Sequence, residues 1–570
     1  MTYPTPESGH QVHLELLRLT RGVGGFRLAI ADGIERLDSF GGFEKLGFPS
    51  VDAYARERLG RSGRWVGDAR TLNRRLAAWP ALKEAFLSGR LSASKVELLA
   101  RHLTRFGPGD GLDEREVIAM AETMTVRELR VRLGNAEVAK AGDEPRRWVQ
   151  LTRHVDRVDA VAFEGVICLL GALGETARSA AIEGLLAEGL TTLLNRTELA
   201  VDLVNRVGEP SPTDPVAGRS PDTDIGLTPD HAATLGTLDE PPYIDPTVTD
   251  LAIIDIELRA LARDLMRRDL RMGELAILAE ALRVPSTHGH RTTTADDYYR
   301  DVLGVAPSSM AARIALARRV ERLPRLRSAI EDGAIGFETA TLLARIARPS
   351  TEVAWLALAD TLTTKLFREQ VDAAELDARV NGMPLDALMP PTPTQVEDAR
   401  ELERRVMTIV FEGEIGCAEE GVSPMSVSEP EPGPMLGNVP LRLTLPEDLA
   451  SFWCDLEVLH ADAGYPCESF VAFLVRATLD TWRCHTRLPA YGDIYLRDRF
   501  RCQSPVCRSR NCTPHHIVFR SQGGGDHPSN LVALCDRCHL SLVHGGHLRV
   551  TGLAPDALLW DARAYRVAST

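Results

Sequence analysis

The side chains best suited to chemistry lie near the C-terminus. Residues 502–507 read CQSPVC, and residues 515–544 read HHIVFRSQGGGDHPSNLVALCDRCHLSLVH. Cys502 and Cys507 form one short loop, and Cys535 and Cys538 form another about thirty residues later. Four thiolates so spaced can surround a zinc ion tetrahedrally, replacing the apolar core that so small a segment lacks. Cys512 repeats the spacing of the first pair, so Cys507 with Cys512 is also open; the Pro505 knuckle favours Cys502 with Cys507. His515 and His516 precede Ile517, Val518 and Phe519, a strand-like run. Adjacent strand residues face opposite ways, so the two imidazoles should do different jobs. Gly523 to Gly525 supply a turn, Asn530 leads into a second short strand through Leu534, and Cys538-His539 start a helix bearing His539 and His544. Strand, turn, strand and helix around one ion make a ββα-metal arrangement.

The order C-x-x-P-x-C, HHI, RSxGG, NL, LCxxCH and a later His resembles the HNH endonuclease family in its four-cysteine zinc branch, over about residues 497–550. The resemblance implies that His515 and His539 bind a catalytic divalent metal and that His516 is the general base that activates water. It implies that Asn530 pins the loop holding that base, and that Cys502, Cys507, Cys535 and Cys538 hold a structural zinc. A second helix histidine commonly follows the first by four residues in this family. Position 543 is valine here, so ligation by His544 requires the helix to end or bulge, which Gly545-Gly546 allows. The expected reaction is hydrolysis of phosphodiester bonds in DNA, with a neutral imidazole taking the water proton near pH 7. Imidazole ligation leans towards Mn²⁺, Ni²⁺, Co²⁺ or Zn²⁺, whereas the resemblance implies Mg²⁺ or Mn²⁺, and the metal's identity stays open. Arg510, Arg520 and Arg537 are candidate phosphate contacts, each read equally well as a solvated surface arginine. Two other readings differ in class: a zinc module that binds nucleic acid or protein with catalysis lost, and a toxin or mobile-element nuclease.

Charge singles out the same segment. The 570-residue chain carries −14, which argues against a general nucleic-acid coat. Residues 497–550 hold eight arginines against three aspartates, a net +5, leaving −19 on the remainder. A basic island on an acidic chain suits one local polyanion contact. The N-terminus MTYPTPESGH lacks the apolar segment of a signal peptide, and no run of about eighteen apolar residues is present. A cytoplasmic protein without a membrane span is expected; oligomeric state is not legible.

The elements that must position this site are expected to be helices, since Leu, Ala and Arg abound and aromatics are 5%. Residues 52–60 (DAYARERLG) match 296–304 (DDYYRDVLG), and 80–104 match 324–348, all at one offset of 244. Two related helical units are the simplest explanation. Val96, Leu99, Ala100 and Leu103 trace an apolar face in the first, as Ala340, Leu343, Ala344 and Ala347 do in the second. Gly89 and Gly333 should end helices, and Ser94 with Glu97 should form a capping box. The expected fold is mainly α: a helical unit over 1–207, a Pro/Asp/Thr-rich linker over 208–250 and a second unit over 251–412. An acidic Pro-rich linker over 413–437, a helical connector over 438–495 and a small ββα-metal zinc domain over 496–570 complete it. Cys454, Cys467 and Cys484 lack ligand-like spacing and read as buried or free thiols.

Overall fold

A computed structural model describes residues 6–106, 113–138, 148–174, 178–194, 242–288, 294–381, 383–384, 388–412, 438–463, 469–482 and 491–568. The linker expected at 413–437, most of that at 208–250, and Cys467 and Cys484 lie outside the described residues.

The chain is mainly α-helical and ends in small sheets. Its first run comprises α1 (Pro6–Ser39), α2 (Val51–Leu59), α3 (Gly63–Leu76), α4 (Pro80–Leu87), α5 (Ala93–Phe106), α6 (Glu114–Thr123) and α7 (Val126–Val138). A strand and two helices follow: β1 (Trp148–Asp156), α8 (Arg157–Gly174) and α9 (Arg178–Leu194). The second run begins with α10 (Leu251–Ala281), then a short helical stretch over 295–302 in the place of α2. It continues with α11 (Pro307–Val320), α12 (Pro324–Glu331), α13 (Phe337–Ile346), α14 (Glu352–Thr361) and α15 (Thr364–Val380). After α16 (Pro393–Glu412) come β2 (Asn438–Pro446), α17 (Glu447–Asp462) and α18 (Phe470–Trp482), again a strand and two helices.

The compact units interleave these runs. Residues 1–142, 222–368 and 562–565 form one, and residues 143–221, 369–561 and 566–570 form the other. This differs from the sequential division expected from the sequence. The physical reason is pairing: β1 has unpaired backbone groups until β2 joins it, nearly three hundred residues later.

In the first unit, Gly22 lies against Arg268 and Gly33 against Leu258, so the long helices α1 and α10 run antiparallel. Leu16, Ile30, Leu258 and Leu265 are buried between and around them. Contacts recur in matched places. The Gly60 carbonyl accepts from the Glu338 amide (3.2 Å), and the Gly304 carbonyl accepts from the Ser94 hydroxyl (2.7 Å). Tyr54 donates to Asp255 (2.9 Å), whereas Tyr298 meets His13 Nδ1 (2.9 Å). Gly89 and Gly333 both take φ of 72°, the left-handed conformation that ends α4 and α12. The expected capping box is absent, because α5 begins at Ala93 and Glu97 instead binds Arg27 at 2.6 Å. Asp269 is fully buried, its charge matched by Arg61 and by Arg313 at 2.6 Å.

The second unit is built on the antiparallel ladder of β1 and β2, with Trp148 opposite Pro446, Thr152 opposite Arg442 and Asp156 opposite Asn438. Leu441, Leu443 and Leu445 are buried and alternate with polar neighbours, the two-residue period of a half-buried strand. They join Phe163, Leu185, Trp453, Leu456 and Phe473 from α8, α9, α17 and α18 in one core. The span expected as a helical connector over 438–495 opens with a strand. Among the described residues, no helix is long and apolar enough to cross a membrane.

The C-terminal part starts with α19 (Gly492–Arg497). It continues with β3 (Thr513–His516), β4 (Leu531–Leu534) and a π-helix (Arg537–Val543), in which bonds skip five residues rather than four. A three-stranded sheet follows, of order β5 (Leu548–Leu553), β6 (Ala557–Ala562) and β7 (Tyr565–Ala568).

Candidate active site and metal centres

Each site residue is held by a short element. β3 and β4 pair antiparallel, with His515 opposite Val532 and His516 opposite Leu531. All four residues of β4 are buried, which fixes the ladder against the core. The first strand falls on Thr513–His516 rather than on the apolar run Ile517–Phe519. Asn530 explains this. Its Oδ1 accepts from the Val518 amide (2.8 Å), and its Nδ2 donates to the carbonyls of Val518 (3.1 Å) and Gly525 (2.9 Å). That side chain takes the hydrogen bonds a longer ladder would have used, and it closes the loop after His516. A Cβ at position 524 would collide with the Val518 carbonyl, so Gly524 permits the closure.

Arg497 braces the same loop from outside, donating to the carbonyls of Pro528 (2.7 Å) and Leu531 (2.6 Å) on either side of Asn530. Asp498, buried beside it, accepts from the Ala533 amide at 2.7 Å.

The cysteine cluster is closed. The Sγ atoms of Cys502, Cys507, Cys535 and Cys538 lie within 4.8 Å of one another, and all four residues are buried. Cys507 and Cys535 approach to 3.6 Å, close to the edge of about 3.8 Å that a zinc tetrahedron with bonds of about 2.3 Å would have. Backbone amides of Ser509 and Cys538 point at Cys507 and Cys535 (3.5 Å each). Burial pushes the Cys502 thiol up, while Cys535, accepting from its three neighbours, is held low. A dication is what would let all four ionise together. Cys512 stands outside the cluster, near the Ser509 carbonyl.

The histidine cluster is open on one side. Ligand nitrogens of His515, His539 and His544 lie within 4.8 Å of one another, with His515 buried, His539 part-buried and His544 exposed. His515 and His539 rings are 4.9 Å apart, and His539 and His544 5.0 Å. In an α-helix, residues five apart diverge by about 140°. The π-turn removes that divergence: the His544 amide bonds to the His539 carbonyl (3.1 Å), stacking one histidine over the other. Phe519 stacks on His544 at 5.2 Å and meets His515 edge-on. Thr513 Oγ1 meets the Leu534 carbonyl (3.3 Å) and His539 Nδ1 (2.9 Å), which fixes the orientation of the His539 ring. Burial, then the neighbouring imidazoles, push His515 down to about 3, and burial also lowers His539. Both are thus neutral donors near pH 7. His515 Nε2 is buried without a hydrogen-bond partner. An unpartnered buried nitrogen among imidazoles fits a divalent cation.

His516, on the other side of β3, meets Asp526 Oδ1 (2.7 Å) and Arg520 Nε (3.2 Å). Arg520 also reaches Asp526 (2.7 Å) and the Tyr491 hydroxyl (3.1 Å). Arg537 is exposed on the π-helix. Arg510 is turned to Glu164 of α8 (3.6 Å), so its charge has a protein partner. Asp526, Tyr491, Thr513 and Phe519 had no sequence signal of a role, apart from Asp526 following the glycine turn.

The neck before the first cysteine is fixed by charge. Glu403 on α16 binds Arg499 (3.3 Å) and Arg501 (3.2 Å). Burial alone would raise Glu403, yet Arg501, Arg499 and Arg157 hold it at about 2. A carboxyl depressed on folding contributes stability above its unfolded value of 4.5, lost as pH falls towards 2. Glu403→Gln should therefore lower stability by about 1–3 kcal/mol at pH 7. In urea unfolding, its difference from wild type should shrink between pH 4.5 and 2; a constant difference would refute the assignment.

Residues 500–544 match the family described as HNH endonuclease. No curated protein and no solved structure matches the chain. The matched residues include both clusters, so the C-terminal segment carries the match to the HNH endonuclease family together with four clustered cysteines.

Proposed function

We propose that the chain is a divalent-metal-dependent endonuclease that hydrolyses phosphodiester bonds in DNA. The observation that carries this is the convergence of His515, His539 and His544 on one open centre, with the buried His515 Nε2 unpartnered. A cation bound there supplies positive charge to a phosphate oxygen and to the departing 3′ oxygen. His516 takes the proton of the attacking water, Asn530 keeps its loop in place, and Arg520 and Arg537 meet neighbouring phosphates. Arg510 and Arg520 also have protein partners, Glu164 for the one and Asp526 for the other, and Arg510 is a third candidate phosphate contact. Three imidazole ligands favour Mn²⁺, Ni²⁺, Co²⁺ or Zn²⁺ over Mg²⁺, and the four cysteines hold a separate structural zinc. The net +5 of residues 497–550 supports a polyanionic substrate.

The test is plasmid cleavage with a metal panel, run beside zinc quantification. Mild EDTA should abolish cutting while about one zinc per chain survives, because the thiolate site is closed and the imidazole site open. Cutting that persists without any divalent ion would overturn the reading.

The helical runs support a second inference: they are related copies of one ancestral unit, given their shared element order and the offset of 244.

A further inference from the structure

His516 Nε2 has two neighbours whose demands conflict. Arg520 Nε can only donate, so its contact (3.2 Å) needs a lone pair on Nε2. The Asp526 carboxylate can only accept, so its contact (2.7 Å) needs a hydrogen on Nε2. One nitrogen cannot satisfy both. The contact to Asp526 is 0.5 Å shorter and ends on an anion, which makes it the stronger. Arg520 has other acceptors, since its Nη2 donates to Asp526 (2.7 Å) and to the Tyr491 hydroxyl (3.1 Å). The Asp526 carboxyl lies below its usual range, first through the His516 contact and then through Arg520, so it stays anionic at neutral pH.

We propose that Asp526 is a positioning residue for hydrolysis: it holds the hydrogen of His516 on Nε2, leaving Nδ1 as the nitrogen that takes the water proton. Arg520 and Tyr491 in turn hold Asp526. The inference rests on the endonuclease reading for its chemistry, but the tautomer stands on geometry alone. In the step, a water O–H bond breaks and its proton passes to Nδ1. The freed electron pair forms a bond to phosphorus, and the bond from phosphorus to the 3′ oxygen breaks with its pair on that oxygen, which is protonated from solvent. The imidazolium, positive while it carries both hydrogens, faces the Asp526 anion until it returns a proton to solvent. This is how a carboxylate beside a histidine assists without itself being protonated.

The full-length, zinc-loaded protein with Mn²⁺ as the added metal serves for the kinetic test. Asp526→Asn and Asp526→Ala should lower kcat by about a hundredfold or more with KM within threefold. Asp526→Glu, which keeps the anion one methylene further out, should recover at least tenfold of that loss. A kcat at the wild-type level in Asp526→Asn would overturn the proposal. So would a loss carried by KM and left unrescued by glutamate, which would mark Asp526 as a structural or substrate-binding residue. A second measurement needs no activity. In ¹⁵N-histidine spectra, with His516→Gln used for assignment, His516 should show a protonated Nε2 and an unprotonated Nδ1, and Asp526→Ala should disturb that pattern. The opposite tautomer in the wild type would refute the assignment. A wild-type protein that shows the expected tautomer yet cuts no DNA would instead refute the endonuclease reading.

Discussion

Replacement of His516 by alanine is expected to lower the rate of DNA cutting by about 10²–10⁴ while leaving fold and zinc content unchanged. The separation of effects follows from where the side chain sits. His516 is the last residue of β3 and its ring faces the polar group of Arg520 and Asp526 rather than the buried side, so little packing is lost with it. His515, one residue earlier, is buried, its Nε2 has no hydrogen-bond partner, and it belongs to the histidine cluster, so the same substitution there should remove metal as well as activity. Single-turnover rates at saturating Mn²⁺, with zinc content and circular dichroism measured in parallel, check the expectation. A His516→Ala protein that cuts at the wild-type rate would end the assignment of the base.

Cys538→Ser should have the largest effect on stability. The Cys538 side chain is buried beside three other sulfurs, and its own amide is bonded to Cys535 Sγ. Structural zinc in small modules contributes about 10–16 kcal/mol, so loss of one ligand should cost several kcal/mol and release the ion. The damage reaches catalysis because Cys538 lies inside the π-helix, next to His539. The zinc equivalent should vanish, residues after about 500 should become susceptible to limited proteolysis, and cutting should stop. Cys512→Ser, outside the cluster, should keep its zinc. A Cys538→Ser protein that retains one zinc and full activity would contradict the account.

Spacing made the two clusters legible, because ligand sets on short loops are nearly one-dimensional. Cys502, Cys507, Cys535 and Cys538 converge, and Cys512 does not. His544 was ambiguous for a definite reason: the sequence spacing assumes an α-helix, and the π-turn changes which residues share a face. Thr513 and Asp526 escaped notice because their roles exist only as contacts to His539 and His516. Elsewhere, the helices and their ending glycines were readable from local pattern. The strands β1 and β2 were not, though LRLTL alternates cleanly, since a strand acquires meaning from a partner and this partner is remote. That pairing also dictates the interleaved grouping of the chain.

The ladder register has one more consequence. Thr152 and Arg442 occupy the same position, the fifth residue, in β1 and β2, and they lie opposite each other. Two separate identical chains would form a ladder of this kind about a rotation axis, and any mutation would then strike both sides of the axis at once. In one polypeptide the two strands are encoded separately, so a change at Thr152 leaves Arg442 as it is. Tyr54 faces an aspartate where Tyr298 faces a histidine, and the one pair of metal clusters among the described residues follows the second half only.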